Sequence, residues 1–210
     1  MKAVCKSLGC SMNDYLATLL GVTLHEYMQE FPRKDPKGEL YEIPDSVKIQ
    51  IPFSFRKPQT KLQNFRLEND FAGLATELKV SDNFDETLKY QKKEFDYLKS
   101  SIYSYSSLYA GKVTLNLPYT LPCLAVRLFG INFSFTFSNV NASKVTYSWD
   151  GKQLVDQFFF APGSWDGHTI ISVSTVGKLM TISVSSEETQ LQYPAEFLKI
   201  FSKKNLEIIS

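Results

Sequence analysis

Gly9-Cys10-Ser11-Met12-Asn13-Asp14-Tyr15-Leu16-Ala17 is the stretch on which the reading of this chain turns. Ser11 predicts a helix N-cap, because its hydroxyl can accept a hydrogen bond from an orphan amide of the first turn. Behind it, Met12, Leu16, Leu19, Leu20, Tyr27 and Met28 recur at helical spacing and predict a core-facing stripe. Asn13, Ala17, Gly21 and His25 fall four residues apart on a neighbouring line. The small side chains in the middle of that line let another backbone or a ligand come close. Taken by themselves, Asn13 and Asp14 are an ordinary polar helix start, the carboxylate complementing the macrodipole by about 0.3–1 kcal/mol.

Outward from this helix the pattern changes several times. Lys2 to Leu8 reads as the last turns of a preceding helix stopped by Gly9, and the second helix runs to about Phe31 before Pro32. The charged loop that follows is punctuated by Pro36, Gly38 and Pro44. Val47, Ile49, Ile51, Phe53 and Phe55 alternate with polar residues, which predicts a half-buried strand; Pro52 predicts an edge or a bulge. Leu74 to Val80 is a second extended run. Ser81 or Asn83 can cap a helix from Phe84 to Ser101, with Leu88, Phe95, Leu98 and Ile102 inward. More helix is expected between Ser106 and Phe129, broken near Pro118 and Pro122.

The last third moves to period two. Ile131, Phe133, Phe135 and Phe137 predict a strand; Val145, Tyr147 and Trp149 lead to Asp150-Gly151, a favoured type I′ turn, with a returning strand through Phe160. A second hairpin pairs Thr169–Val176 with Leu179–Ser186 around Gly177, and Pro194 opens a last helix with Phe197, Leu198 and Phe201 inward. Helix, strand, helices, strands and a closing helix make an α+β (mixed α/β) chain rather than a bundle or a sandwich.

Composition narrows the function. The net charge is +1 and no basic patch stands out, which argues against a nucleic-acid partner. Cys5, Cys10 and Cys123 match no zinc spacing and read as reduced thiols of an intracellular protein. The apolar stretch Val113–Phe137 is interrupted by Pro118, Pro122 and Arg127, so it does not predict a membrane span. Peripheral contact with lipid stays open. No Gly-x-Ser-x-Gly elbow, phosphate loop, paired-carboxylate site or metal cluster is found.

The run GCSMNDYLATLLGVTLHEYM (9–28) resembles the G-x-T-x-N-D-x-x-x-A helix in the C-terminal half of the wax ester synthase/diacylglycerol acyltransferase family. Later segments agree in order. VKIQIPFSFR (47–56) is similar to the family strand ending in Pro-x-x-x-Arg, and LENDFAGLATELKV (67–80) to its L-x-N-x-F segment. FSFTFSNVNASKVTYSWDGKQLVDQFFFAPG (133–163) resembles its T-N-V-P-G-P strand and hairpin, with Asn141-Ala142-Ser143 where Pro-Gly-Pro is usual. The family's His-His-x-x-x-Asp-Gly motif is missing, since His25 and His168 are the only histidines and lie far apart. Each has a plainer reading as a helix residue or a strand-start residue than as a base.

The resemblance implies the C-terminal half of a chloramphenicol-acetyltransferase-like two-layer sandwich, a mixed sheet with helices on one face, spanning 1–210 as a single domain without the catalytic N-terminal half. It implies transfer of a fatty acyl group from acyl-coenzyme A, as co-substrate, to diacylglycerol or a fatty alcohol, with no other cofactor and no metal. An N-terminal acyltransferase half would be the partner. The setting would be the cytoplasm, or the periphery of the endoplasmic reticulum membrane or lipid droplets. Asn13 and Asp14 would bind substrate. Arg56 would pair with a carboxylate or a coenzyme A phosphate, and Ser138 and Asn139 would position substrate or donate to an oxyanion. The alternative is a non-catalytic lipid- or partner-binding remnant of the fold. Half of a two-domain fold is also expected to expose an apolar patch, at the Phe133–Phe137 strand and the Ala17–Gly21 line.

Overall fold

The alternating segments assemble into one mixed sheet, and the helical ones cover it. The computed structural model describes residues 1–34, 37–56, 70–143, 148–160 and 169–209. The elements run α1 (Lys2–Ser7), α2 (Met12–Glu30), β1 (Ser46–Ser54), β2 (Phe71–Lys79), α3 (Phe84–Ser100), α4 (Tyr103–Leu115) and α5 (Thr120–Gly130). Then come β3 (Phe135–Ser143), β4 (Ser148–Trp149), β5 (Lys152–Gln153), β6 (Thr169–Val176), β7 (Leu179–Ser185) and α6 (Pro194–Ile209). The main sheet has the order β2-β1-β3-β6-β7; β4 and β5 form a separate small hairpin. The three inner strands are mutually parallel, and each edge strand returns antiparallel to its neighbour.

Register decides which side chains face the helices. Ile51 pairs with Leu74, Ile49 with Phe135, Phe137 with Ile171 and Val173 with Ile182. Paired residues share a face, so these side chains make one apolar surface; Ile49, Leu74, Phe137 and Val173 are each at most 1% exposed. The reverse face carries Thr136, Ser172, Ser174 and Ser183, all buried. The stretch 154–160 lies against part of it, where Ser183 donates to the Phe159 carbonyl at 2.7 Å.

α2 lies against the sheet between α3 and α6, and this changes its pattern from the expected stripe. Every residue from Asp14 to Thr23 is buried, so a helix that reads as amphipathic is enclosed on all sides. Its buried hydroxyls stay satisfied within the helix: Thr18 donates to the Asp14 carbonyl and Thr23 to that of Leu19, both at 2.7 Å. The small-residue line does bring a backbone close. A Cβ on Gly21 would stand 2.2 Å from the Lys79 carbonyl oxygen at the end of β2.

Several sequence expectations need correction. β1 is an inner strand rather than an edge. Its parallel pairing with β3, however, is confined to Ile49↔Phe135 and Gln50↔Thr136, so Pro52 sits past the last rung. Ile102 is 82% exposed because α3 ends before it, at the cap Ser101, and the chain turns there into α4. Only Pro118 breaks the next helical stretch; Pro122 sits in the first turn of α5, where a missing amide hydrogen costs no helix bond. β3 begins at Phe135, because Ile131 caps α5. Asn141-Ala142-Ser143 is a register shift within β3 rather than a turn. Asp150 and Gly151 both have positive φ, as a type I′ hairpin requires, but the return strand covers only two residues. Val145, Tyr147 and His168 lie outside the described residues.

The apolar patch expected at Phe133–Phe137 and at Ala17 and Gly21 is not there. Ala17 is 0%, Phe135 5% and Phe137 1% exposed, and Gly21 is buried against β2. Those surfaces are consumed by contact between the sheet and α2. Exposed apolar side chains gather instead on α4 and α5.

Two stability outcomes follow from the position of α2. Alanine has the higher helix propensity, by about 1 kcal/mol over glycine. The carbonyl in the way of its Cβ reverses the sign, so Gly21→Ala is expected to destabilise by roughly 1–3 kcal/mol in urea unfolding. Glu26 ties α2 to α6 through Lys203 at 3.1 Å and through Lys204. The hydrogen bond from Lys204 holds its carboxyl below the ordinary range. A lowered folded-state pKa gives stability that is present above the unfolded value and lost as pH falls through the folded one. Glu26→Gln should therefore cost about 0.5–1 kcal/mol near neutral pH, discounted because Lys203 is exposed and Lys204 only half-buried. That difference should vanish in melts taken well below pH 4.5.

Candidate functional site

Pro52 begins the site. In the antiparallel β1–β2 ladder it stands opposite Gly73, and the outward-facing Ala75 amide, donating to the Tyr103 hydroxyl at 3.1 Å, fixes the phase of that ladder. Positions 50 and 52 of β1 therefore present their nitrogens away from β2, toward β3. Gln50 finds β3 there. Pro52 has no hydrogen to give, and the two parallel strands part on their carboxyl side. In open α/β sheets this is where ligands sit, in the crevice outside the strands' carboxyl ends.

The crevice is a narrow apolar cleft of about 70 Å³. Ile51, Phe53 and Phe137 line it from the parted strands, and Leu74, Phe95 and Leu98 from β2 and α3. Its polar lining includes Asn13, Asn139 and Lys99. Asn139 Nδ2 donates to Asn13 Oδ1 at 2.7 Å. The bond uses the carbonyl of Asn13 and leaves that residue's own amide hydrogens available to another acceptor.

Asn139 also lines a second, wider cavity of about 630 Å³. Cys5, Cys10, Met12 and Met180 give it an apolar lining, and Lys2, Lys6 and Lys178 bring cations to it. Burial and the Cys5 thiol beside it push the Cys10 thiol up to about 11, so Cys10 stays protonated near neutral pH and is no nucleophile. The asparagine pair thus stands between a small apolar space and a large one with a cationic lining.

The helix start that holds Asn13 is built as a capping box. Ser11 Oγ accepts from the Asp14 amide at 3.2 Å, and Asp14 Oδ2 accepts from the Ser11 amide at 2.7 Å. Asp14 is 4% exposed; its other oxygen makes no hydrogen bond among the described residues and lies 3.9 Å from Lys99 Nζ. Its geometry is that of a brace for the first turn, with Lys99 balancing the buried charge. Asn13, next to it, is exposed.

Of the residues singled out in the sequence, the structure brings Asn13, Asp14 and Asn139 together. Ser138 is half-buried, pairs with Ser172, and points to the opposite face of the sheet, because strand side chains alternate. Arg56 is exposed beyond the end of β1 and lines neither cavity. His25 is half-buried on α2, three turns from Asn13. Lys99 and the three lysines of the wide cavity carried no signal in the sequence, since each reads as a solvated surface cation until the fold sets it beside the asparagines.

Solved structures share this architecture. The wax ester synthase/diacylglycerol acyltransferase from Marinobacter aquaeolei VT8 superposes with a TM-score of 0.59 at 13% identity, over 99% of this chain and 45% of that one. The epimerization domain of the third module of tyrocidine synthetase B gives 0.57 at 19% identity, over 98% and 43%. A chloramphenicol acetyltransferase gives 0.50 at 13%, over 100% of this chain and 82% of that one. At such identities the likeness is one of fold, and the chain spans less than half the length of the wax ester synthase. No curated protein matches by sequence. Residues 67–209 match the WS/DGAT C-terminal domain, and the chain belongs to that acyltransferase family.

Proposed function

We propose that this chain is the substrate-side half of an O-acyltransferase that moves a fatty acyl group from acyl-coenzyme A to diacylglycerol or a fatty alcohol. The observation that carries the reading is the Asn13–Asn139 pair, set between an apolar cleft and a cavity lined by lysines. The acyl chain enters at the cleft between β1 and β3, whose volume takes a few methylenes and leaves the rest to surfaces of another half. Coenzyme A lies in the wider cavity, where Lys2, Lys6 and Lys178 meet its phosphates. The thioester carbonyl then falls at the asparagines.

The chemistry divides between two halves. A histidine of the other half takes the proton from the acceptor hydroxyl, whose oxygen attacks the thioester carbon. The carbonyl oxygen becomes an oxyanion and receives hydrogen bonds from the free amide hydrogens of Asn13 and Asn139. Collapse expels the coenzyme A thiolate, which takes up the proton, and forms the ester. Both acceptors partition into lipid, and the reading places the reaction at the periphery of the endoplasmic reticulum membrane or of lipid droplets.

Alone, the chain has the donors without the base, and a missing base typically costs 10²–10⁴-fold. Incubated with palmitoyl-coenzyme A and diacylglycerol or hexadecanol, it should release no coenzyme A above the uncatalysed rate. Release that His25→Ala or His168→Ala abolishes would refute this. With both halves present, Asn13→Ala should lower kcat by about 10²–10³-fold at nearly unchanged stability. Ser11→Ala, which removes the cap, should cost about 1 kcal/mol of stability. Equal stability losses with unchanged turnover would reduce Asn13 to a helix start. Lys6→Glu with Lys178→Glu should raise KM for acyl-coenzyme A far more than it lowers kcat.

A further inference from the structure

The helical pair α4–α5 is the largest feature the site does not use. Pro118 separates the helices, and their exposed side chains are apolar. Tyr109 and Val113 are each 65% exposed, Leu115 73%, Tyr119 83%, Leu124 52% and Leu128 53%. Gly130 is the only buried residue of α5. By contrast, α4 is anchored by Ser104 and Leu108, both buried, and by the Tyr103 hydroxyl on the edge of β2. The outer helix is thus held out from the body by the inner one. An open hollow of about 540 Å³ lies between them, lined by Leu115, Tyr119 and Val126 among others.

Charge says what covers this surface. Between Asp96 and Asp150 the sequence contains no aspartate or glutamate, although 22 are spread through the rest of the chain. The cations of the pair are Lys112, held by Asp70 at 2.9 Å, and Arg127, which makes no ion pair among the described residues. A partner protein would ordinarily meet such a patch through an apolar core inside a polar rim with several hydrogen bonds. A patch of tyrosines and aliphatic side chains, in which Arg127 is the one charge of the two helices outside an ion pair among the described residues, is instead matched to an anionic lipid surface, tyrosine at headgroup depth and arginine at the phosphates. Neither helix can span: α5, with 11 residues, is about 16 Å long, against about 30 Å of hydrocarbon. No described helix is long and apolar enough to cross a membrane.

We infer that α4–α5 lies in the plane of an anionic lipid surface, with Tyr119, Leu124 and Leu128 inserted and Arg127 at the headgroups. The inference rests on the lipid-surface setting of the proposed function but not on its chemistry, since no residue of the pair lines the asparagine site.

Vesicle co-sedimentation of the whole chain tests it, with phosphatidylcholine alone and with phosphatidylcholine mixed with phosphatidylserine. The chain should bind the mixed vesicles at least about tenfold more tightly than the neutral ones, because the apolar insertion is joined by charge. Leu124→Ser with Leu128→Ser should weaken binding to both by about tenfold or more. Arg127→Gln should weaken only the anionic case, by several-fold. All three side chains are exposed, so circular dichroism melts should be unchanged and a folding defect is recognised by a shifted melt. In that event Tyr119→Ser, outside both helices, replaces the leucine pair. Binding that survives both the leucine variant and Tyr119→Ser overturns the inference. So does self-association in sedimentation that the leucine variant abolishes while vesicles are ignored, which would make the face a contact between copies. Loss of vesicle binding on adding the other acyltransferase half would likewise assign the face to that half.

Discussion

A proline without an amide hydrogen sets the geometry of this protein's site. β1 and β3 share two rungs of parallel ladder and then meet Pro52, whose nitrogen faces the partner strand with nothing to donate. A strand with valine there would have continued the ladder and closed the sheet over the space that Ile51, Phe53 and Phe137 now line. At the mouth of that space the Asn139 side chain, on the helix-facing side of β3, meets Asn13 at 2.7 Å. The other end of that contact is as firmly held. Gly21 lets α2 touch the Lys79 carbonyl, and the capping box fixes the first turn. The asparagine pair is therefore positioned by backbone features on both sides, which is what preorganised donors need.

How much of this was legible in the sequence can be followed residue by residue. The Ser11 cap, the Asp150-Gly151 turn and the helix from Phe84 rest on local chemistry, and the structure has each of them. The fold class was legible for the same reason, since it needs only the order of local patterns. What failed were statements about neighbours. The α2 stripe became an enclosed helix because α3 and α6 cover faces that periodicity along α2 cannot report. Pro52 predicted an edge or a bulge, and β1 is an inner strand, because the meaning of that proline depends on how far β3 runs beside β1. Ser138 and Asn139 looked like a pair in sequence and are split by the pleat, while Lys99, which no sequence pattern marks, stands beside Asp14. Tertiary neighbours are absent from a period-two or period-3.6 pattern.

The comparisons separate fold from chemistry in the same way. The chain covers 82% of a chloramphenicol acetyltransferase but 45% of a wax ester synthase, a likeness of fold that carries no chemistry by itself. Donors alone can hold an oxyanion, and in known cases one such donor is worth about 10²–10³ in turnover. They cannot take the proton from an alcohol whose pKa lies far above neutrality. The sequence has no adjacent histidine pair, so on the proposed reading the asparagines stabilise and a base from another half takes the proton.

The distribution of apolar surface bears on how such a base is brought in. A domain that relied on its partner for a core would leave its sheet or its central helix bare. Here both are closed by the chain's own packing: Phe137, Leu16 and Leu19 are at most 1% exposed. Association of two halves around the asparagines would therefore draw on a mostly polar rim and on the walls of the two cavities. Such a contact resembles an ordinary interdomain interface, more polar than an obligate one and open to relative motion. On the proposed reading, a site assembled across such a contact would part to admit a long acyl chain and close again around the thioester without either half unfolding.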